Sequence, residues 1–514
     1  MGEVACVAES KVESRVLLLS VFFVAAAGLV YELIAGTLAT YLLGSSITVF
    51  SLVIGIFLAA MGLGAWLAQF AKDSLSNWFV LAELALALLG GLSALLLFVA
   101  YVYSQDGFPL ILGLLSVGIG ALVGLEIPIL LRILEAGSSV RLAVSRVLAV
   151  DYVGALIGSI LFPLVLLPYM GLVRTAAFLG LINLAVAFLA MVLLRQSLTG
   201  VRRMQIAGGF IGVLLVAVFV TSGQTTSWAE DQLYDDPIVL AETTPYQRVV
   251  VTRWRNDVRL YLNGHLQFSS LDEHRYHESL MHPALSAVDE PERVLILGGG
   301  DGLAVKQAVI HPGVQSIDLV DLDAELLDLF RPSGPLSNVN GDALADPRVT
   351  IHAMDAIQFV EESTRQWDII VMDLPDPNDD TLARLYAQST YRLILKRLAP
   401  EGVLVTQATS PYFAPKAFWC IVATLESVAG AGQEVRPYHV NVPSFGEWGF
   451  VMLGHAPLMK GSLRDGLETE FLDDEALTGM FHFPKDLTRI PVEANRLTTA
   501  VVAEYYRDGW SMFN

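Results

Sequence analysis

Six stretches in the first half of the chain, 33–71, 84–105, 107–125, 152–173, 175–194 and 204–229, contain no Asp, Glu, Lys or Arg. A helix that crosses a bilayer needs about 20 apolar residues, and it must satisfy its own backbone hydrogen bonds because lipid offers none. Helices placed on these runs give seven predicted spans, near 16–37, 47–70, 79–103, 109–131, 148–172, 175–195 and 205–223. Lys11 and Arg15 precede the first run and Ala25-Ala26-Ala27 lies inside it, as in a secretory signal. That run is longer than a signal's apolar core and leads directly into another span, so it is expected to persist as the first helix.

Composition divides at the same place. Of 32 basic and 52 acidic residues, the first 223 positions hold ten of each, so the net charge of −20 belongs entirely to the rest. An acidic chain argues against a nucleic-acid partner. Only 16% of the 514 residues are charged, against roughly 25% in an ordinary soluble domain. Cys6 and Cys420 are too few for a disulfide framework and have no metal-ligand spacing, so no metal is expected.

Within the apolar half, Glu32, Glu126 and Asp151 fall in or at the edge of spans. Intramembrane acids usually face a bundle interior and meet an ion, a substrate or a polar partner. The segment Gly28–Glu32 with Gly44-Ser45-Ser46 is echoed 93 residues later by residues 121–126 with Gly137-Ser138-Ser139. Three spans separate the copies, so a duplication would be inverted, as in many transporters. The loops sharing a side with the N-terminus carry Lys11, Arg15, Lys72, Arg132, Arg141, Arg146, Arg195, Arg202 and Arg203, and the opposite loops only Arg174. The positive-inside rule then assigns the N-terminus to the cytoplasm, and an odd number of spans puts the second half outside.

From residue 236 the pattern becomes β-rich, with runs at 247–253, 258–262 and 265–269 and a hairpin signal at Asn263-Gly264. Short apolar strands at 293–297, 316–320, 348–353, 367–372 and 402–407 then alternate with helical segments. This predicts a parallel, doubly wound sheet with its ligand beyond the carboxyl ends of the strands. The first of these strands runs into Gly298-Gly299-Gly300-Asp301-Gly302, the second ends at Asp321, the third at Asp355 and the fourth at Asp373-Leu374-Pro375-Asp376-Pro377. A glycine loop alone would suit a dinucleotide, a nucleoside or a tight turn. Acids at four successive strand ends disfavour a phosphate-bearing ligand such as NAD and favour a cationic donor with a polyamine acceptor.

Residues 234–455 resemble the aminopropyltransferase (spermidine synthase) family. The resemblance rests on Tyr246-Gln247, Leu260–Gly264, Gln267-Phe268, Asp272-Glu273, Tyr276-His277-Glu278, His282-Pro283, the Gly298–Gly302 loop, Val320-Asp321, Met354-Asp355-Ala356 and Asp373–Pro377. It implies a small β domain followed by a class I methyltransferase-like (Rossmann-like) sheet, assembled as a homodimer or homotetramer. It assigns decarboxylated S-adenosylmethionine, a co-substrate and not a cofactor, to Gln247, Asp301, Asp321, Asp355 and Ala356. Asp301 would hold the donor's amine, Asp321 its ribose and Asp355 its adenine. Tyr276, His277 and Asp376 would contact the acceptor, putrescine or a related polyamine, and Asp373 would be the general base. Three departures stand out: Asp321 where Glu is common, Leu374-Pro375 and Asn378-Asp379-Asp380 in the acceptor loop, and Phe445 where a Tyr often contacts the acceptor.

The expected organisation is therefore an α-helical polytopic membrane domain at 1–223, a β-hairpin subdomain at 224–290, a Rossmann-like catalytic domain at 291–465 and a helical extension at 466–514. The expected location is the cell membrane, multi-pass. The side of the catalytic half stays open, because decarboxylated S-adenosylmethionine is expected in the cytoplasm and the charge rule points outside. The competing readings are a polyamine transporter or sensor with a binding-only domain, and a methyltransferase using S-adenosylmethionine itself.

Overall fold

The computed structural model describes residues 2–43, 47–71, 74–135, 140–455, 457–458, 462–464 and 466–513. The chain divides into two compact units, Met1–Asp235 and Asp236–Asn514.

The first unit is built from seven helices: α1 (Gly2–Leu43), α2 (Ile47–Leu67), α3 (Leu75–Tyr103), α4 (Phe108–Glu135), α5 (Val140–Leu161), α6 (Leu167–Leu193) and α7 (Val201–Asp231). Among the described residues, six apolar helical stretches are long enough to cross a membrane, and one of them, Val144–Leu193, runs for 50 residues, about twice a single crossing. It is broken at Gly171, whose φ of 69° and ψ of 177° leave the helical region. Glycine tolerates that conformation at no steric cost.

Side-chain contacts fix the helix directions. Arg132 donates to the Ala68 carbonyl (3.0 Å), bringing together the carboxyl ends of α2 and α4. Asn77 at the start of α3 donates to the Thr199 hydroxyl between α6 and α7 (2.6 Å). Arg174 at the start of α6 donates to Ser222 near the end of α7 (2.7 Å), at the opposite end of the unit. Parallel pairs interleave with these: Gly154 and Gly158 of α5 lie against Phe22 and Ala26 of α1, and Gly120 and Gly124 of α4 against Phe57 and Met61 of α2. The seven helices thus alternate in direction, and α5 and α6 are two antiparallel segments despite their continuous apolar sequence. The Gly44–Ser46 and Gly137–Ser139 parts of the internal echo lie outside the described residues.

In the second unit, β1 (Ile238–Thr243), β2 (Arg248–Trp254), β3 (Asp257–Leu262) and β4 (His265–Ser269) form an antiparallel sheet in sequence order. Asn263 (φ 51°) and Gly264 (φ 83°) make the expected two-residue hairpin between β3 and β4. Helix α8 (Glu273–Ala287) leads into β5 (Arg293–Gly298), α9 (Leu303–Val309), β6 (Ser316–Asp321), α10 (Ala324–Phe330), β7 (Val349–Ala353), α11 (Ala356–Glu362) and β8 (Trp367–Asp373). Then follow α12 (Asp380–Ala383), α13 (Gln388–Leu395), β9 (Leu398–Gln407), α14 (Pro415–Glu426), β10 (Gln433–Val442), β11 (Gly446–His455), α15 (Asp474–Met480) and α16 (Val501–Trp510).

The seven-stranded sheet has the order β10-β11-β9-β8-β5-β6-β7. Strands β5 to β9 are parallel, as expected, but β11 is antiparallel to both β9 and β10. The sheet is therefore mixed and not wholly parallel. Residues 443–445 with Gly446 (φ 80°) join β10 to β11, a link too short for a crossover, which takes about a dozen residues. The direction of winding reverses at β5, whose neighbours are β8 and β6, so the ligand crevice is expected beyond Gly298. Two boundaries differ from expectation. Helix α7 continues to Asp231, so the units part at Asp235 and not at 223. The stretch 466–514 is mostly irregular, with only α15 and α16 as α-helices; Pro484 and Pro491 lie between them and cannot continue a helix.

Candidate active site

The glycine loop after β5 is shaped by the strand ends beside it. A Cβ on Gly298 (φ 84°) would fall 2.0 Å from the Asp373 carbonyl oxygen, and one on Gly300 would fall 2.8 Å from Asp321 Oδ2. Only glycine lets β5, β6 and β8 deliver their terminal acids this close together. Asp321 accepts from the Gly300 amide (3.1 Å) and the Asp323 amide (2.9 Å), yet burial pushes its carboxyl up to about 6. Asp301 accepts from the Leu303 amide (2.9 Å). Burial, with Asp373 and Glu273 nearby, raises it to about 7 against the opposing pull of His277.

Helix α8 supplies the other wall. The Tyr276 hydroxyl donates to Asp373 Oδ1 (2.8 Å), and His277 Nε2 stands 4.0 Å from Asp373 Oδ2. Burial raises the Asp373 carboxyl, while His277 and the Tyr276 hydrogen bond draw it back. The His277 Nδ1 contacts Glu273 Oε2 at 2.9 Å, one helical turn back, and Lys306 of α9 binds Glu273 Oε1 at 2.8 Å. Burial alone would lower His277, but Glu273 with Asp301 and Asp373 raises it to about 9. Burial likewise opposes ionisation of Glu273, and His277 and Lys306 overcome it to hold the carboxyl at about 2. The site thus contains a buried imidazolium that offsets part of the negative charge of Asp301 and Asp373.

Asp376 is held by Gln407 (3.2 Å) and Tyr506, and burial raises it to about 6. Gln407 also donates to the Leu374 carbonyl (2.8 Å) and the Tyr386 hydroxyl (2.6 Å), which fixes the segment between the two acids. Phe445 packs edge-on against Tyr276 (6.0 Å between centroids) and beside Trp448 (5.0 Å), closing that side with apolar rings.

The remaining expected residues lie at the edges of this crevice. Gln247 donates to Asp323 (2.8 Å), which itself caps α10, so Gln247 is tied to the end of β6 next to Asp321. Asp355 caps α11 through the Ile357 (2.8 Å) and Gln358 (3.1 Å) amides and faces Arg384 at 3.6 Å. Ala356 lines an apolar cleft with Leu374 and Leu385. The structure therefore brings the buried Tyr276 and His277 together with the half-buried Asp301, Asp321 and Asp373 in one cluster, with Asp376 adjoining it through residues 374–375.

Sequence reasoning gave no role to Glu273, Lys306, Gln407, Tyr386 or Tyr506. The four-residue spacing of Glu273 and His277 on one helix was the available signal. Tyr506 lies 130 residues beyond Asp376, and nothing local announces the pairing.

Residues 273–459 match the model of the spermine/spermidine synthase domain. A polyamine aminopropyltransferase of Leptospira interrogans is 44% identical over 96% of this chain and 98% of its own. Polyamine aminopropyltransferase 2 of Ralstonia nicotianae is 45% identical over 97% and 98%. A crystal structure of spermidine synthase in complex with the transition-state analogue AdoDATO aligns with 49% of this chain and 88% of its own, at 21% identity and a TM-score of 0.45. Similarity at this level, spanning both units nearly end to end, shows that the chain belongs to the polyamine aminopropyltransferase family.

Proposed function

We propose that the second unit moves the aminopropyl group of decarboxylated S-adenosylmethionine to a primary amine of putrescine or a related polyamine, releasing methylthioadenosine. The observation that carries this reading is the half-buried group of Asp301, Asp373 and Asp376 beside the buried Tyr276, an environment suited to ligands with positive charge at separate points.

Asp301 binds the donor's ammonium, Asp321 its ribose hydroxyls and Asp355 its adenine amino group. The apolar cleft at Ala356 and Leu374 suits the flat face of the base. Asp376 binds one acceptor ammonium and Tyr276 with His277 shapes the wall beside the other. The acceptor nitrogen enters as an ammonium, and Asp373 takes its proton. The freed lone pair attacks the aminopropyl carbon beside sulfur; the C–N bond forms as the C–S electron pair returns to sulfur, and neutral methylthioadenosine leaves. The sulfonium provides its own leaving group, so the chemistry needs no cofactor. Alignment of nitrogen, carbon and sulfur supplies most of the rate and Asp373 the uncharged nucleophile. Burial assists the base, since a raised carboxyl pKa lies nearer the working pH.

The first unit is proposed to be a seven-span, multi-pass domain of the cell membrane, on the grounds of its apolar helix lengths, their alternating directions and the break at Gly171.

Methylthioadenosine release by the full chain tests the catalytic reading. Asp373→Asn is expected to lower kcat by about 10²–10⁴, the usual contribution of a general base, with donor binding retained. An unchanged kcat would remove Asp373 from the chemistry.

A further inference from the structure

Glu278 follows His277 on α8, but its carboxylate finds its partners away from the acids of the crevice. It is 2% exposed and accepts three successive backbone amides, from Glu470 (2.7 Å, to Oε1), Phe471 (3.0 Å, to Oε2) and Leu472 (2.9 Å, to Oε2). Hydrogen bonds from amides to a carboxylate are charge-assisted and about twice as strong as neutral ones. All three donors lie in the link between β11 and α15. The same stretch of chain meets α8 on both sides of this clamp. Arg275 stands over the Phe471 ring (4.3 Å), and the Ser279 hydroxyl donates to Met480 Sδ (3.4 Å). Leu472, Leu477 and Met480 share one buried core with Leu280 and Ala284 of α8.

Helix α8 needs outside support at this point, because Pro283 has no N–H to offer the Ser279 carbonyl one turn back. The Tyr438 hydroxyl donates to that carbonyl instead (2.9 Å), and its ring lies between Phe450 (5.4 Å) and Phe481 (5.1 Å). The helical repeat sets Tyr276 and Glu278 about 200° apart around the axis. Tyr276 therefore donates forward to Asp373 Oδ1 (2.8 Å), with His277 Nε2 4.0 Å from Asp373 Oδ2, while Glu278 is fastened behind. The rotation of α8 about its own axis is thus held from both sides. A carboxylate so enclosed does not meet a substrate, and it reaches the chemistry only through where it holds its two neighbours.

We propose that Glu278 is a positioning residue for aminopropyl transfer, a role that rests on the reaction proposed for the second unit. By capturing the amides of residues 470–472 it makes the C-terminal segment the back support that fixes Tyr276 and His277 against Asp373.

Methylthioadenosine release and backbone hydrogen exchange, both measured on the detergent-solubilised full chain, test this together. Glu278→Gln sets a side-chain N–H2 against backbone amides that now donate to oxygen. Exchange at residues 470–472 should quicken, and kcat should fall about 10- to 100-fold, the scale of about 1 Å of misplacement. Donor KM should hold, because Gln247, Asp301, Asp321 and Asp355 lie off α8. Glu278→Asp keeps the charge and should recover part of kcat. In a chain already carrying Tyr276→Phe and His277→Gln, Glu278→Gln should cost kcat little more, since residues that act through one another are not additive. An unchanged kcat in Glu278→Gln would overturn the proposal whatever the exchange, as would an equal fold-loss in both backgrounds. Should Glu278→Gln fail to fold, Glu278→Asp decides: quicker exchange at 470–472 with kcat intact overturns it. No methylthioadenosine release by the unaltered chain would refute the transfer reaction itself and this role with it.

Discussion

Replacing Glu273 by Gln removes the anion that keeps His277 protonated, and the effect passes to the reacting carboxylates. His277 is raised from 6.5 to about 9 in the intact site against the opposing effect of burial, a shift of roughly 3 kcal/mol. With a neutral amide at position 273 only Asp301 and Asp373 are left to oppose burial, so the imidazole pKa falls and less of its charge remains at pH 7. Its Nε2 stands 4.0 Å from Asp373 Oδ2, where a unit charge is worth about 4 kcal/mol at an effective dielectric of about 20, or roughly three pKa units. His277 holds down both Asp373 and Asp301, and Asp301 already stands at about 7. Without the imidazolium both carboxyls rise, and Asp301 is largely protonated at neutral pH. Activity that needs these carboxylates is lost as pH falls through their pKa values, so the acid limb must move to higher pH. Measured as kcat/KM for methylthioadenosine release between about pH 5.5 and 9, the limb of Glu273→Gln should rise by about one to three units, and Glu273→Asp should restore most of the shift. A Glu273→Gln profile superimposable on that of the unaltered enzyme would refute the argument.

The same pair sets the pH dependence of folding. Its His277 contribution is complete below pH 6.5 and lost as pH rises through about 9, and its Glu273 contribution is complete above 4.5 and lost as pH falls through about 2; thermal unfolding of His277→Gln should show a loss, relative to the unaltered chain, that shrinks above pH 9. Tyr506→Phe removes one hydrogen bond to Asp376 and should raise the acceptor KM by about 2- to 12-fold with donor KM unchanged; steady-state kinetics with each substrate varied separates the two. Gly298→Ala puts a methyl against the Asp373 carbonyl at a backbone φ of 84°. It should cost at least about 2 kcal/mol, read as a lower Tm of the second unit, and an unchanged Tm would mean that the loop relaxes freely.

The parallel part of the second unit was legible because each strand is a short apolar run ending in an acid or glycine, so residue type and position carried the same message. Asp301, Asp321, Asp355 and Asp373 could be placed at strand ends on that basis alone. The hairpin of β10 and β11 was not legible as part of the sheet, since its direction depends on a three-residue link and not on the composition of either strand. Nor was the charge balance of the site. Acids read singly suggest a strongly negative crevice, whereas His277, protonated through Glu273, offsets part of that charge. Sequence also gave no sign that the acceptor loop, which departs from its family's pattern at 374–375 and 378–380, is braced by residues distant in the chain. Gln407 holds the Leu374 carbonyl, Arg507 reaches the Asn378 carbonyl (3.3 Å), and Tyr506 binds Asp376.

In the first unit, helix number was legible and helix partnership was not. Charge-free runs mark the helices that are long and apolar enough to cross a membrane, because the cost of a buried charge acts on each helix by itself. Which acids meet depends instead on rotation and direction, and these follow from close approaches such as Gly124 on Met61 that composition cannot rank. Glu32, Glu126 and Asp151 were singled out in sequence, and Glu83 was not, although it too borders a charge-free run, 84–105, and falls inside the predicted span 79–103. Yet Glu83 is as deeply buried as Glu126 and within its electrostatic reach, whereas Glu32 joins neither. Alternating directions explain the pairing. Helix α3 enters the unit at the end where α4 leaves it, so an acid eight residues after the start of α3 and one seven residues before the described end of the apolar part of α4 fall at the same depth. Tyr31 of α1 seats its ring against α3 at Gly90, where the absent side chain leaves space for it. A pair of acids so placed is a property of the packed bundle, which the sequence of neither helix announces by itself.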